Sequence, residues 1–172
     1  MRGLWAGLLV LAAGVLLIGA GLIIFTLVER VVPPDDDWYL VVRAPGTEGT
    51  IIGMDELRLI GNRTVEMVLL GTGEDGKPHL YTGLLLKDLA GHLNVTDYGS
   101  VTVRAADTYS KKLTRQQVTD HDVLLAMGRD GKDLAGRSDG GNGPVRLVLP
   151  QEAVGTYNAQ HCVKWVSEVV FE

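Results

Sequence analysis

Ser100-Val101-Thr102-Val103-Arg104-Ala105-Ala106, followed at once by Asp107-Thr108-Tyr109-Ser110, is the stretch from which the fold reads outward. Val101, Val103 and Ala105 alternate with Thr102 and Arg104, the period-two pattern of a strand with one face buried and the other in water. Polar groups then gather at the strand's end, a place where turns form and binding groups collect. Downstream, Leu113 to Val118 reads as a short helix and Val123 to Met127 as a strand ended by the Asp130-Gly131 turn. Gly136 to Pro144 is a glycine-rich loop, Val145 to Leu149 a strand, and Val163 to Phe171 an alternating closing strand. Upstream, Trp38 to Arg43, Gly49 to Gly53 and Thr64 to Leu70 read as strands. Met54 to Ile60 reads as a helix with Asp55 and Glu56 in its first turn. Gly71 to Pro78 is a turn and His79 to Thr82 a short extended piece. Leu84 to Leu93 carries apolar residues at helical spacing. Strands and helices interleave irregularly, so the class is α+β, with residues 38–172 as one domain.

Leu4 to Val28 is different in kind: 25 residues without a charge, of which only four glycines and Thr26 fall outside the hydrophobic set. At about 1.5 Å per residue a helix of this length spans roughly 37 Å, enough for a hydrocarbon core of about 30 Å. A cleaved signal peptide has a shorter apolar region and a small-residue cleavage site, whereas this run ends in Thr26-Leu27-Val28-Glu29-Arg30. Residues 1–30 are therefore expected to form an N-terminal transmembrane anchor. Residues 31–37, with Pro33-Pro34 and Asp35-Asp36-Asp37, form a linker in which proline stops the helix and charge keeps the chain solvated. Arg2 and the free amine before the segment place the N-terminus inside, making this a single-pass protein of the cell membrane with its C-terminal domain extracytoplasmic.

The net charge of −5 argues against nucleic acid as the partner, since phosphate contacts need clustered Lys and Arg. The single Cys excludes an intrachain disulfide and a thiolate zinc cluster. His79, His92, His121 and His161 show no metal-ligand spacing, so no metal site is expected. Gly71-Thr72-Gly73-Glu74-Asp75-Gly76 fits G-x-G-x-x-G, but Lys77-Pro78 leads into an extended piece and two acids would repel a phosphate; a hairpin turn is the reading. His161-Cys162 would place its side chains on opposite faces of a strand, which disfavours a dyad. Two candidate contact regions remain. Gly136 to Pro144 can turn backbone N–H groups on an anion, with Arg137 and Arg146 adding charge-assisted bonds. Asp107, Tyr109 and Ser110 hold polar groups at the strand end.

The order of motifs resembles a known family. Tyr81-Thr82-Gly83-Leu84-Leu85-Leu86-Lys87-Asp88-Leu89, then Val101 to Ser110, Asp122 to Met127, Gly131-Lys132-Asp133-Leu134, Gly143-Pro144-Val145-Arg146-Leu147-Val148-Leu149-Pro150 and Val163-Lys164-Trp165-Val166 together look like the molybdopterin-binding domain of the sulfite-oxidase type, over residues 38–172. The resemblance implies mixed β-sheets with flanking short helices, and molybdopterin as cofactor. It also implies one protein Cys as molybdenum ligand, at the end of the strand before the Tyr81–Leu89 motif. The matching strand here is Val65-Glu66-Met67-Val68-Leu69-Leu70, without Cys, and Cys162 lies elsewhere. A thioether such as Met67 is neutral and a weak donor.

The expected function is accordingly a non-catalytic binding or accessory module, taking a redox partner or an anionic ligand at Asp107, Tyr109, Ser110, Arg137 and Arg146. An active molybdopterin-dependent oxidoreductase with a Cys-independent site, using Arg104, Arg137 and Arg146, is one alternative. A structural subunit of a membrane complex, with the glycine-bearing anchor packed on other helices, is the other.

Overall fold

The computed structural model describes residues 38–46 and 48–172; the expected anchor and linker lie outside them. Among the described residues, ten strands form two sheets. In the first, β1 (Tyr39–Arg43), β2 (Thr50–Gly53), β5 (Ser100–Ala105), β6 (Ser110–Thr114) and β10 (Val166–Phe171) lie in the order β2-β1-β10-β5-β6. The first and last strands of the domain run parallel in its middle, Val42 opposite Val169, while the other pairs are antiparallel. In the second sheet, β3 (Arg63–Val68), β4 (Pro78–Leu85), β7 (Leu124–Arg129) and β8 (Lys132–Asp133) lie in that order, and β9 (Arg146–Val148) pairs with β7. Four short helices connect them: α1 (Met54–Ile60), α2 (Leu86–His92), α3 (Arg115–Asp120) and α4 (Gln151–Val154), with a 3₁₀ turn at Asn158–His161. Among the described residues no helix is long and apolar enough to cross a membrane.

The alternation read in Ser100–Ala106 is realised: Val101, Val103 and Ala105 enter the main core and Arg104 faces out, although Thr102 is also covered. That core joins Leu40, Val42, Ile52 and Val169 of the first sheet to Leu84, Leu125 and Leu147 of the second, with Leu57, Leu89 and Val118 from helices. Each such side chain contributes about 1.5–3 kcal/mol by leaving water. A second, smaller cluster lies apart: Met67, Leu69, Tyr81, Leu85, Leu124, Ala126, Val148 and Cys162. Neighbouring residues of one strand divide between the two, Leu84 from Leu85, Leu125 from Leu124 and Leu147 from Val148. The second sheet is thus apolar on both faces where β4, β7 and β9 meet, which is why Leu84-Leu85, Leu124-Leu125-Ala126-Met127 and Leu147-Val148 read as unbroken apolar runs. At the register shift between β4 and β7, Gly83 lets the strands close together: a Cβ there would lie 2.1 Å from the Leu125 carbonyl oxygen.

Three local readings are corrected. Leu84 and Leu85 complete β4, opposite Leu125 and Leu124, so the helix expected from Leu84 starts at Leu86. Pairing with β7 decides an apolar run whose spacing suits either element. The helix expected over Leu113–Val118 is two elements: Leu113 is the buried residue of edge strand β6, and Val118 that of α3. Thr114 divides them through a capping box, its hydroxyl accepting from the Gln117 N–H while the Gln117 side chain accepts from the Thr114 N–H. Finally, His161-Cys162 closes the 3₁₀ turn rather than lying on a strand.

Candidate functional site

β3 ends where the family's thiolate would stand. Leu69 goes down into the second cluster, 2% exposed, and the surface beyond it opens into a cleft of about 540 Å³ lined by Gly71, Thr72, Tyr157, Ala159 and Gln160. Asn158, fully buried, fixes its walls: Oδ1 accepts from the Leu70 N–H at 2.9 Å, and Nδ2 donates to the carbonyls of Val68 at 3.0 Å and Leu149 at 2.8 Å. The Tyr109 hydroxyl donates to the Gln160 carbonyl at 2.8 Å, which brings the β5–β6 turn to the rim. In that turn Asp107 accepts from the Tyr109 N–H and Thr108 takes a φ of 78°.

Two residues beyond Thr72 the β3–β4 loop sends Glu74 inward. Strand parity puts Arg146 on the face of Val148, not of Leu147, so its guanidinium enters the second cluster with 3% of the side chain exposed. Arg146 Nη2 donates to Glu74 Oε1 at 2.6 Å, and the Glu74 side chain is itself 7% exposed. Arg129 lies 3.9 Å from the other Glu74 oxygen and covers the ring of Tyr81, its cross-strand partner. The cluster continues outward: Arg129 to Asp75 at 3.7 Å and Asp130 at 3.6 Å, with His79 bonded to Asp130 at Nδ1 and Asp75 at Nε2, and touching Arg129. Among the described residues, two buried side-chain polar atoms have no hydrogen-bond partner, the Tyr81 hydroxyl and Arg146 Nε.

Protonation follows from these contacts. Hydrogen bonds that His79 donates to Asp75 and then to Asp130 raise it above its ordinary value of 6.5, against burial and Arg129. The His79 bond holds Asp75 below 3.8, and the Leu80 N–H followed by His79 does the same for Asp130. Burial pushes the Tyr81 hydroxyl and the Cys162 thiol up, with Arg146 opposing both. A raised His79 contributes stability that is complete below pH 6.5 and lost as pH rises through the folded value; the two lowered carboxylates contribute above 3.8 and lose it as pH falls. Thermal midpoints should therefore fall as pH rises beyond 6.5, and the His79→Gln variant should lack that step.

The expected contact residues have different surroundings. Arg137 stacks on the Trp165 ring at 4.8 Å, and the Trp165 indole N–H donates to the Gly141 carbonyl. Ser110 stands opposite Arg104 on the ladder, Arg104 is bonded to Glu168, and Arg146 is held by Glu74. Tyr109 alone of the set bonds to a residue that lines the cleft. Glu74, Asn158, Tyr81 and Arg129 were not singled out from the sequence as contact residues. The available signal was Arg146 itself, a lone charge in an apolar strand, which requires a carboxylate from somewhere.

The oxidoreductase molybdopterin binding domain model matches residues 29–172. The chain belongs to this family. No curated protein matches it. Among solved structures, this member of the family is similar to the sulfane dehydrogenase SoxCD from Paracoccus pantotrophus, with a TM-score of 0.65 and 17% identity over 83% of this chain and 40% of that one. It therefore spans under half of that relative's length, and at this identity the likeness is one of fold. The sulfite-oxidase type of domain is established, with the ligand Cys missing.

The family's cofactor does not fit the residues at this cleft. Residues 65–70 offer no thiolate, and Met67 is 5% exposed in the second cluster. Cys162 is buried, burial pushes its thiol pKa up, and the thiol donates to the Asn158 carbonyl at 3.5 Å. Arg146 and Arg129 are engaged by acids of this same chain. Among the described residues no group of His, Cys, Asp and Glu converges as a metal site.

Proposed function

We propose that the protein is a single-pass membrane protein presenting this domain outside the cytoplasm as a binding or accessory module, without molybdenum catalysis of its own. One observation carries the reading: the cleft at the end of β3 is walled by Gly71, Thr72, Tyr157, Ala159 and Gln160, with neither a thiolate nor a cation among them. A redox partner or an anionic ligand would meet the domain at the Asp107–Ser110 turn and the Gly136–Arg146 loop, and Tyr109 supports this by joining the turn to the cleft rim. The 25-residue apolar segment supports the anchor, and Arg2 with the free amine supports the orientation. The Cys-independent oxidoreductase needs Arg146 for its cofactor, whereas Arg146 is already committed to Glu74.

The test is elemental analysis and pterin fluorescence on the detergent-solubilised full chain from molybdenum-replete cells. Molybdenum and pterin far below one per chain are the expected result. Stoichiometric amounts of both would overturn the reading.

A further inference from the structure

β3 is a terminal strand of the second sheet, paired with β4 on one side only. Which of its backbone groups face the free side follows from two contacts. Val68 stands opposite Pro78, which has no N–H to give, and the Val68 carbonyl accepts from Asn158 Nδ2 at 3.0 Å instead. Val68 is thus a residue whose N–H and C=O point away from β4, and the two-residue alternation of an antiparallel ladder puts Glu66 and Thr64 in the same class. Leu70 continues the row past the strand: its N–H donates to Asn158 Oδ1 at 2.9 Å and its carbonyl accepts from the Ala159 N–H at 3.2 Å. The 3₁₀ turn therefore closes the edge at 68–70 and leaves it open at Thr64 and Glu66, both exposed, whose outward N–H and C=O groups have no backbone partner among the described residues. A groove of about 260 Å³ runs beside this open stretch. Val65, Glu66 and Met67 all line it, although consecutive side chains of a strand point to opposite faces, so the groove looks onto the edge of β3 rather than onto one face. Across it stand Asp120 at the end of α3, Asp122 before β7 and Glu152 in α4.

Charge selects the occupant. No Lys or Arg lines the groove. Asp122 is paired with Lys87 at 3.0 Å, but among the described residues Glu66, Asp120 and Glu152 have no ion-pair partner. A second copy of β3 would set these acids against their own kind, and the Asp35-Asp36-Asp37 stretch of this chain is repelled on the same ground. We propose that the Thr64–Glu66 edge of β3 is a docking site for an extended basic segment of a partner protein, which adds to the second sheet as a further strand and sets Lys or Arg side chains against the acids of the groove. The proposal rests on the reading of the domain as a binding module and names the partner's chemistry and the surface it meets.

The probe is an alternating Lys-Val heptapeptide with blocked ends, titrated into the full chain in neutral detergent. Its controls are the matching Glu-Val peptide and two Lys-Val peptides, one N-methylated on its lysines and one on its valines. A paired strand sends alternate N–H groups to its neighbour, so one methylated peptide should bind about tenfold or more weaker than the other. A purely electrostatic contact would treat the two alike. In the free protein the Thr64 and Glu66 amides should exchange faster than those of Val65 and Met67, and the Lys-Val peptide should slow them about tenfold or more. Glu66→Pro removes one outward N–H at an edge position that tolerates proline and should weaken the peptide more than Glu66→Gln, which removes only the charge. Should Glu66→Pro fail to fold, the methylated peptides make the same comparison on wild type. Equal affinities for the two methylated peptides, Glu-Val binding as tight as Lys-Val, or unslowed Thr64 and Glu66 amides would each overturn the proposal. So would a dimer of this chain that the peptide leaves intact and Glu66→Pro dissociates. Stoichiometric molybdenum beside slowed amides would remove the accessory-module reading and keep the docking edge; absent molybdenum beside unslowed amides would do the reverse.

Discussion

Asn158→Ala is expected to lower the stability of the domain by about 3–5 kcal/mol, since three backbone groups lose their partner and each buried group left unpaired costs about 1–3 kcal/mol. The groups are the Leu70 N–H and the carbonyls of Val68 and Leu149. They come from the end of β3 and the residue after β9, so one side chain joins two segments that the sheet ladder does not pair with each other. Against a total of about 5–15 kcal/mol for a domain, a loss of this size brings the variant close to unfolding. Urea denaturation would show it as a midpoint shift at unchanged slope. Asn158→Asp is the sharper control. It keeps an acceptor for the Leu70 N–H but sets a carboxylate against two carbonyls, so it should be nearly as destabilised at neutral pH and recover as the carboxyl protonates. A cost below about 1 kcal/mol for the Ala variant would mean that solvent in the cleft satisfies the groups instead.

The same side chain shows where sequence reading stops. Val101, Val103 and Ala105 carry their burial in their spacing, and the strand was legible because alternation is a local property. Leu84 and Leu85 were not assignable by spacing, because their membership of β4 depends on Leu125 and Leu124, some forty residues away. Asn158 sits in a turn with no pattern at all; its importance lies in three partners at separations of 9 to 90 residues. Arg137 and Arg146 look alike as loop-flanking cations, yet parity on β9 buries Arg146, while Arg137, in the loop before that strand, stacks on Trp165 at the surface. Glu74 reads in the sequence as an acid of a hairpin turn, and nothing local to that turn shows that its partner is Arg146, 72 residues on. What the chain does not spell out locally is pairing, and the site is made of pairings.

Cutting the Glu74–Arg146 pair from either side should be costly, by unequal amounts. Removing one member of a buried ion pair leaves the other charge uncompensated, at about 3–5 kcal/mol. After Arg146→Ala, however, Glu74 retains Arg129 at 3.9 Å, whereas after Glu74→Ala the Arg146 guanidinium has no other carboxylate in salt-bridge range. Glu74→Ala is therefore expected at the upper end and Arg146→Ala at the lower, read from urea denaturation of each. Glu74→Leu combined with Arg146→Met should cost far less than either truncation, because apolar side chains of similar volume avoid the desolvation that the ions suffer. The double-mutant cycle through the Ala variants should return a coupling of about 2–3 kcal/mol. At about 1.4 kcal/mol per factor of ten, a coupling of that size would hold the β3–β4 loop shut in all but roughly one molecule in a hundred. A coupling under about 0.5 kcal/mol would mean that solvent screens the two charges from each other and that the pair does little to hold the β3–β4 loop.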